Sequence, residues 1–180
     1  RGNAGTDVSR FVLGDIRPLM TGGNKLWCID AQRKIAGYLD PTDGSLDWTY
    51  APADTMGPMG PATDGARVFY ANNEGREIYA FNASDNSLAW YRDLRANENN
   101  YDYQHYQIDS AMIAEEGILY HVSERGRITG LNCTNGNVKF IYDALGYPER
   151  TIWQTPEIHN KTIYMGGLDG KIYAVKYNGT

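Results

Sequence analysis

Short apolar stretches, none longer than five residues, alternate along the chain with turns rich in Gly, Asp and Asn. Runs of that length, rich in Tyr, Ile and Val and bounded by turn residues, predict strands. Four of them, Leu26–Ile29, Val68–Ala71, Ile118–Val122 and Ile163–Met165, are each followed by a turn and a second strand with the same local pattern. The second strands read Arg33-Lys34-Ile35-Ala36-Gly37, Gly75-Arg76-Glu77-Ile78-Tyr79-Ala80, Gly126-Arg127-Ile128-Thr129-Gly130 and Gly170-Lys171-Ile172-Tyr173-Ala174. Their isoleucines, Ile35, Ile78, Ile128 and Ile172, are 43, 50 and 44 residues apart. A period of that size marks a repeated supersecondary unit whose length varies in its loops.

Three of the four hairpins continue into a polar turn and then an aromatic residue. Asp40 leads to Trp48, Asn82 to Trp90 and Asn132 to Phe140, each after eight residues. The Asx side chain can hold the backbone two residues on, and the Gly or Asn that follows accepts positive φ, so the chain reverses into an outer strand. The large flat ring is then placed to fill the wedge between neighbouring units. Upstream apolar stretches, Arg17–Met20, Met59–Ala62, Ser110–Ile113 and Thr155–Ile158, supply an innermost strand. Each unit therefore reads as four antiparallel strands, the blade of an all-β propeller. The expected layout is an N-terminal segment 1–14, blade 1 over 15–52, blade 2 over 53–92, an inter-blade loop 93–109, blade 3 over 110–145 and an incomplete blade 4 over 146–180.

The strand, turn and aromatic pattern resembles the tryptophan-docking repeat of quinoprotein-type (PQQ-like) eight-bladed β-propellers, whose consensus is A-x-D-x-x-T-G-x-x-x-W. The match runs through Ala80, Asn82, Asp85, Asn86 and Trp90; through Gly130, Asn132, Asn135, Gly136 and Phe140; and through Asp40, Asp43, Gly44 and Trp48 with one extra residue ahead of Asp40. The resemblance implies that Trp48, Trp90 and Phe140 dock one blade on the next. Family members include dehydrogenases, assembly scaffolds and sensor domains. Four blades, the last without its outer strand, are fewer than such a ring needs, and an open half-ring leaves apolar end faces bare. Three completions are open: the remaining blades of a larger, eight-bladed ring from the same precursor, a second copy giving a four-plus-four ring, or a closed four-bladed ring.

Composition narrows the partners. The net charge is −5 with no Lys/Arg cluster, which argues against nucleic acid or an anionic membrane surface, and no apolar run is long enough for a membrane span. The opening Arg1–Thr6 has no apolar core of a signal peptide, and a chain opening on Arg reads as processed or excised. Four N-x-[S/T] sequons, at Asn82, Asn132, Asn160 and Asn178, exceed the roughly one or two expected by chance and point to a glycoprotein that is secreted or displayed at the cell surface. Alternating strand direction places all four in turns on one face of the propeller. The opposite face is built from inter-blade connections, of which the longest carries Tyr101, Tyr103, His105 and Tyr106, a candidate recognition loop for a protein partner or a glycan.

Catalytic chemistry finds little footing. A dehydrogenase of the resembled family implies PQQ over a calcium held by Glu, Asn and Asp, often beneath a vicinal disulfide, but the chain has no Cys-Cys pair and no motif assigns the three ligands. His105, His121 and His159 fall in different repeats, and Asp40–Asp47 reads as a turn rather than a calcium loop. Cys28 lies in the second strand of blade 1 and Cys133 in the last turn of blade 3, too far apart for a bond within one chain. Cys28 is expected as a buried thiol and Cys133, in an exposed turn, as the candidate for an intermolecular disulfide. The expected function is a non-catalytic extracellular or surface scaffold for protein binding or assembly, with no cofactor, catalytic residue or metal site of its own. The alternatives are a fragment of a PQQ-dependent dehydrogenase, which uses PQQ with calcium, and a carbohydrate-binding propeller.

Overall fold

The computed structural model describes residues 16–22, 25–30, 35–43, 45–52, 60–72, 77–94, 112–123, 127–143, 156–167 and 170–176. Within them the chain forms four antiparallel sheets in sequence order. Blade 1 consists of β1 (Ile16–Gly22), β2 (Lys25–Asp30), β3 (Ile35–Leu39) and β4 (Leu46–Tyr50). Blade 2 is β5 (Ala62–Thr63), β6 (Arg67–Ala71), β7 (Glu77–Asn82) and β8 (Leu88–Asp93). Blade 3 is β9 (Ile113–Glu115), β10 (Ile118–Val122), β11 (Arg127–Asn132) and β12 (Val138–Asp143). Blade 4 has β13 (Glu157–His159), β14 (Thr162–Gly166) and β15 (Ile172–Lys176). The inner strands β1, β5, β9 and β13 neighbour one another in that order, so the blades are arrayed side by side as in a propeller.

Successive residues of a strand face opposite sides of its sheet, so each central strand feeds two apolar layers. In β6, Val68 and Tyr70 join Trp27, Ile29 and Ala36 in the layer between blades 1 and 2, while Phe69 and Ala71 join Leu119, Leu131 and Met112 in the layer between blades 2 and 3. A third layer, with Tyr120, Val122, Ile128, Ile163 and Met165, lies between blades 3 and 4. Both faces of β6, β7, β10 and β11 are covered, so these strands are buried continuously rather than at alternate residues. Each fully buried large side chain contributes roughly 1.5–3 kcal/mol, so the stability resides in these layers between blades.

Two sequence expectations shift. The inner strands of blades 2, 3 and 4 begin two or three residues later than the apolar stretches suggest; in blades 2 and 4 Pro61 and Pro156, which lack the N–H a ladder needs, stand just ahead of β5 and β13. Blade 1 carries no extra residue ahead of Asp40: Tyr38 pairs with Trp48 as Ala80 pairs with Trp90 and Gly130 with Phe140. A large ring thus stands in blade 1 where the other two have a small residue.

The turns between third and fourth strands close alike. Asp40, Asn82 and Asn132 donate their backbone N–H to the carbonyls of Ser45, Ser87 and Asn137, each at 2.9 Å. The Asp40 and Asn132 side chains accept from the N–H two residues on, at 2.6 and 2.8 Å. Asn86 (φ 63°) and Gly136 (φ 68°) take the left-handed positions. Bonds from Ala83 N–H to the Ala66 carbonyl and from Cys133 N–H to the Gly117 carbonyl tie these turns to the first turn of the same blade. The Lys161–Glu116 ion pair, 3.3 Å, links the first turns of blades 3 and 4. Asn82, Asn132 and Asn160 therefore lie at one end of the blades.

Candidate functional site

The docking aromatics differ in what they meet. Trp90 is 8% exposed, and its indole N–H donates to the Cys133 carbonyl of blade 3 at 2.8 Å. The ring covers Gly136, where a Cβ would come within 2.6 Å of a ring carbon, so both the left-handed backbone and the space require glycine. Arg92, two residues on and therefore on the same face, donates to the Gly136 carbonyl and the Asn137 side chain, each at 2.8 Å. Blade 2 thus grips the last turn of blade 3 with a ring and a guanidinium.

Trp48 is half-buried and stands edge-on to Phe81 of blade 2 at 4.9 Å, stacked on Tyr38 at 6.2 Å. The donor to the last turn of blade 2 is Lys25. Its ammonium reaches the Ala83 carbonyl at 3.0 Å and the Asn86 side chain at 2.7 Å, and lies over the Tyr38 ring at 4.6 Å. Tyr70 adds a hydroxyl donation to the Gly37 carbonyl at 3.1 Å, and burial holds its proton on well above the usual phenol range. Phe140 sits over Gly130, where a methyl group would clash with the ring, and packs toward Tyr120 at 6.1 Å. Its phenyl has no N–H to donate. Sequence reasoning overlooked Lys25 and Arg92, although each is two residues from a docking aromatic's layer (Trp27 and Trp90), which strand alternation places on the same face.

Cys133 departs from expectation. It is 1% exposed rather than presented in an open turn, because its turn folds back on the first turn of blade 3 and lies beneath Trp90. Burial pushes its thiol up to about 12, so at neutral pH it is protonated and a poor nucleophile for a disulfide. Cys28 is also a buried thiol.

At the end of the blades opposite the sequons, Tyr50, Tyr79 and Tyr91 gather. Tyr79 and Tyr91 donate their hydroxyls to the Glu77 carboxylate at 2.8 and 2.9 Å, and Tyr50 lies 5.7 Å from the Tyr79 ring. Burial, then the Glu77 contact, raises the Tyr79 phenol above its ordinary value. Tyr91 remains 45% exposed, as do Ile141 at 42% and Tyr142 at 49% on the outer strand of blade 3. The candidate recognition residues Tyr101, Tyr103, His105 and Tyr106, and the sequon residue Asn178, lie outside the described residues. Among the described residues no three His, Cys, Asp or Glu side chains gather where they could hold a metal ion. No described helix is long and apolar enough to cross a membrane.

Residues 12–179 match the family described as outer membrane protein assembly factor BamB. No curated protein sequence matches the chain. Among solved structures, BamB from Moraxella catarrhalis superposes with a TM-score of 0.63 at 18% identity, over 88% of this chain and 44% of that one. Quinohemoprotein alcohol dehydrogenase from Comamonas testosteroni gives 0.65 at 15% identity, over 83% of this chain and 28% of that one. The computationally designed Ika4 protein gives 0.67 at 12% identity, over 89% of this chain and 90% of that one. The chain spans less than half the length of the two natural proteins.

Proposed function

The chain belongs to the PQQ-like propeller family of the outer membrane protein assembly factor BamB, and from that premise we propose that it is a non-catalytic, extracytoplasmic propeller scaffold that binds protein. The observation that carries this reading is the tyrosine cluster opposite the sequon turns. Tyr50, Tyr79 and Tyr91 are held around Glu77 by hydrogen bonds and packing, so their rings are ordered before a partner arrives and little entropy is lost on contact. The sequon turns at Asn82, Asn132 and Asn160 are the face left for glycans. The partner is a protein, and no cofactor is assigned.

The test is site-specific photocrosslinking of the natural protein in its cells, from position 91 on the tyrosine face and from position 85 on the opposite one. A discrete protein adduct from 91 and none from 85 is expected; equal adducts from both positions, or none, would reject the face assignment. Titration with PQQ and Ca2+ provides the second arm. Saturable binding with dye-linked alcohol oxidation would replace the scaffold with the oxidoreductase reading.

A further inference from the structure

Glu77 is the polar centre of the tyrosine cluster, and its two oxygens accept the Tyr79 and Tyr91 hydroxyls at 2.8 and 2.9 Å. Burial, then the Glu77 contact, keeps the Tyr79 phenol protonated, so at neutral pH the donation runs toward the carboxylate. Both phenol protons are therefore committed, and a carboxylate has none to offer. What these groups can do for a ligand is accept. Asp93 lies opposite Glu77 in the β7–β8 ladder and adds a second carboxylate on the same side of the sheet, which concentrates negative potential there. Lys25, Arg67 and Arg92 of the same two blades reach other partners: the Ala83 carbonyl, Asp64 and the last turn of blade 3.

The rings supply the other half. Tyr79 neighbours Tyr50 and Tyr91, with ring centroids 5.7 and 5.1 Å away and planes tilted by 53° and 48°. Rings at such angles offer faces as well as edges, and the face of a ring attracts a cation. Tyr79 is 6% exposed and Tyr91 45%, so the ring open to a ligand is that of Tyr91. The chain already uses this chemistry at its opposite end, where the Lys25 ammonium lies 4.6 Å over Tyr38 and 5.4 Å over Trp27. A guanidinium suits the Glu77 cluster better than an ammonium does. It is planar, so its face can lie on Tyr91, and its edge carries several N–H donors for a carboxylate.

We propose that the Glu77 cluster is a guanidinium site: it takes an arginine side chain of the partner protein, stacked on Tyr91 and donating to the Glu77 carboxylate, with Asp93 adding attraction. This rests on the protein-binding reading and names the chemistry by which the partner is recognised. The net charge of −5 also favours a basic partner segment.

The experiment titrates the full-length natural protein with the peptide acetyl-Gly-Arg-Gly-amide and with its citrulline counterpart, which keeps the shape of the side chain and loses the charge. Backbone amide shifts at Glu77, Tyr79 and Tyr91 should saturate with the arginine peptide, and the citrulline peptide should bind at least ~10-fold more weakly. Glu77→Gln keeps an acceptor for the phenols and removes the charge, and it should weaken arginine binding by ~10-fold or more. Tyr91→Leu, at an exposed position, should weaken it several-fold. Equal binding of the arginine and citrulline peptides, tighter binding of a lysine peptide, or arginine affinity unchanged in both variants overturns the proposal. An adduct from position 91 with no preference for arginine would reject the guanidinium site alone. Arginine-selective binding with no adduct would keep that site and reject the protein partner.

Discussion

Between blades 2 and 3 the Cys133 carbonyl receives the Trp90 indole, while between blades 1 and 2 the equivalent carbonyl, that of Ala83, receives the Lys25 ammonium. The requirement is the same in both places: a carbonyl in the last turn points at the preceding blade and needs a donor once water is excluded. The solutions differ because of the residue beneath the aromatic. Ala80 leaves room for Trp90 to lie down onto Gly136, whereas Tyr38 holds Trp48 in a stack 6.2 Å away and presents its own ring to Lys25. Docking in this fold is therefore a function assigned to a position in space, and the sequence can fill it from the fourth strand or from the second.

Breaking the indole junction should have the largest effect. Trp90→Ala removes a nearly buried ring and a donor and is expected to cost about 3–5 kcal/mol in urea unfolding. Trp90→Phe keeps most of the packing and strands the Cys133 carbonyl, for about 1–3 kcal/mol. Trp48→Ala should cost clearly less than Trp90→Ala, since its ring is half-exposed and Lys25 serves the carbonyl. Equal losses at the two tryptophans would show that the two junctions do not differ in the way the geometry indicates.

Lys25→Met comes next. It keeps the apolar stem over the rings and removes the ammonium, at an expected cost of about 1–2 kcal/mol from the stranded carbonyl and the lost ring contact. Because Lys25 and Trp90 act at different junctions, their effects should add within about 0.5 kcal/mol in a Lys25→Met/Trp90→Phe double variant. A large coupling energy would mean that the blades transmit strain to each other and are not docked independently.

The period of 43 to 50 residues and the eight-residue step from Asx to aromatic were enough to read the blades, because both are dictated by local turn chemistry and strand alternation. What stayed hidden depends on neighbours distant in sequence. Cys133 reads as a turn residue and is buried, since only the docked Trp90 and the fold-back to Gly117 close over it. Lys25 stands just ahead of the apolar run Leu26–Ile29, and its partners lie 58 and 61 residues away. The Glu77 cluster joins Tyr79 to Tyr91, 14 residues on and on another strand, and periodicity alone does not show which carboxylate gathers tyrosines. The inner strands of blades 2 and 4 were misplaced by two or three residues because Pro61 and Pro156 at their starts punctuate the ladder more strongly than apolar content does.

The smallest effect concerns acid. The turn that Lys25 grips contains Asp85, whereas the turn that Trp90 grips has Asn135 at the same place; each side chain accepts from the N–H two residues on, at 3.0 Å. The Ser87 hydroxyl and N–H, with a lesser pull from Lys25, hold the Asp85 carboxyl below its usual value of 3.8. A depressed carboxylate contributes stability that is present above the unfolded value and is lost as pH falls through the folded one. Asp43, held down by Ser45, behaves the same way in blade 1, while Asn135 has no proton to gain. Urea midpoints of the parent chain should therefore fall between about pH 5 and about pH 2, and the Asp43→Asn/Asp85→Asn variant should lose less over that range. A variant as acid-sensitive as the parent would remove these two turns from the acid response and leave the junctions alike in acid.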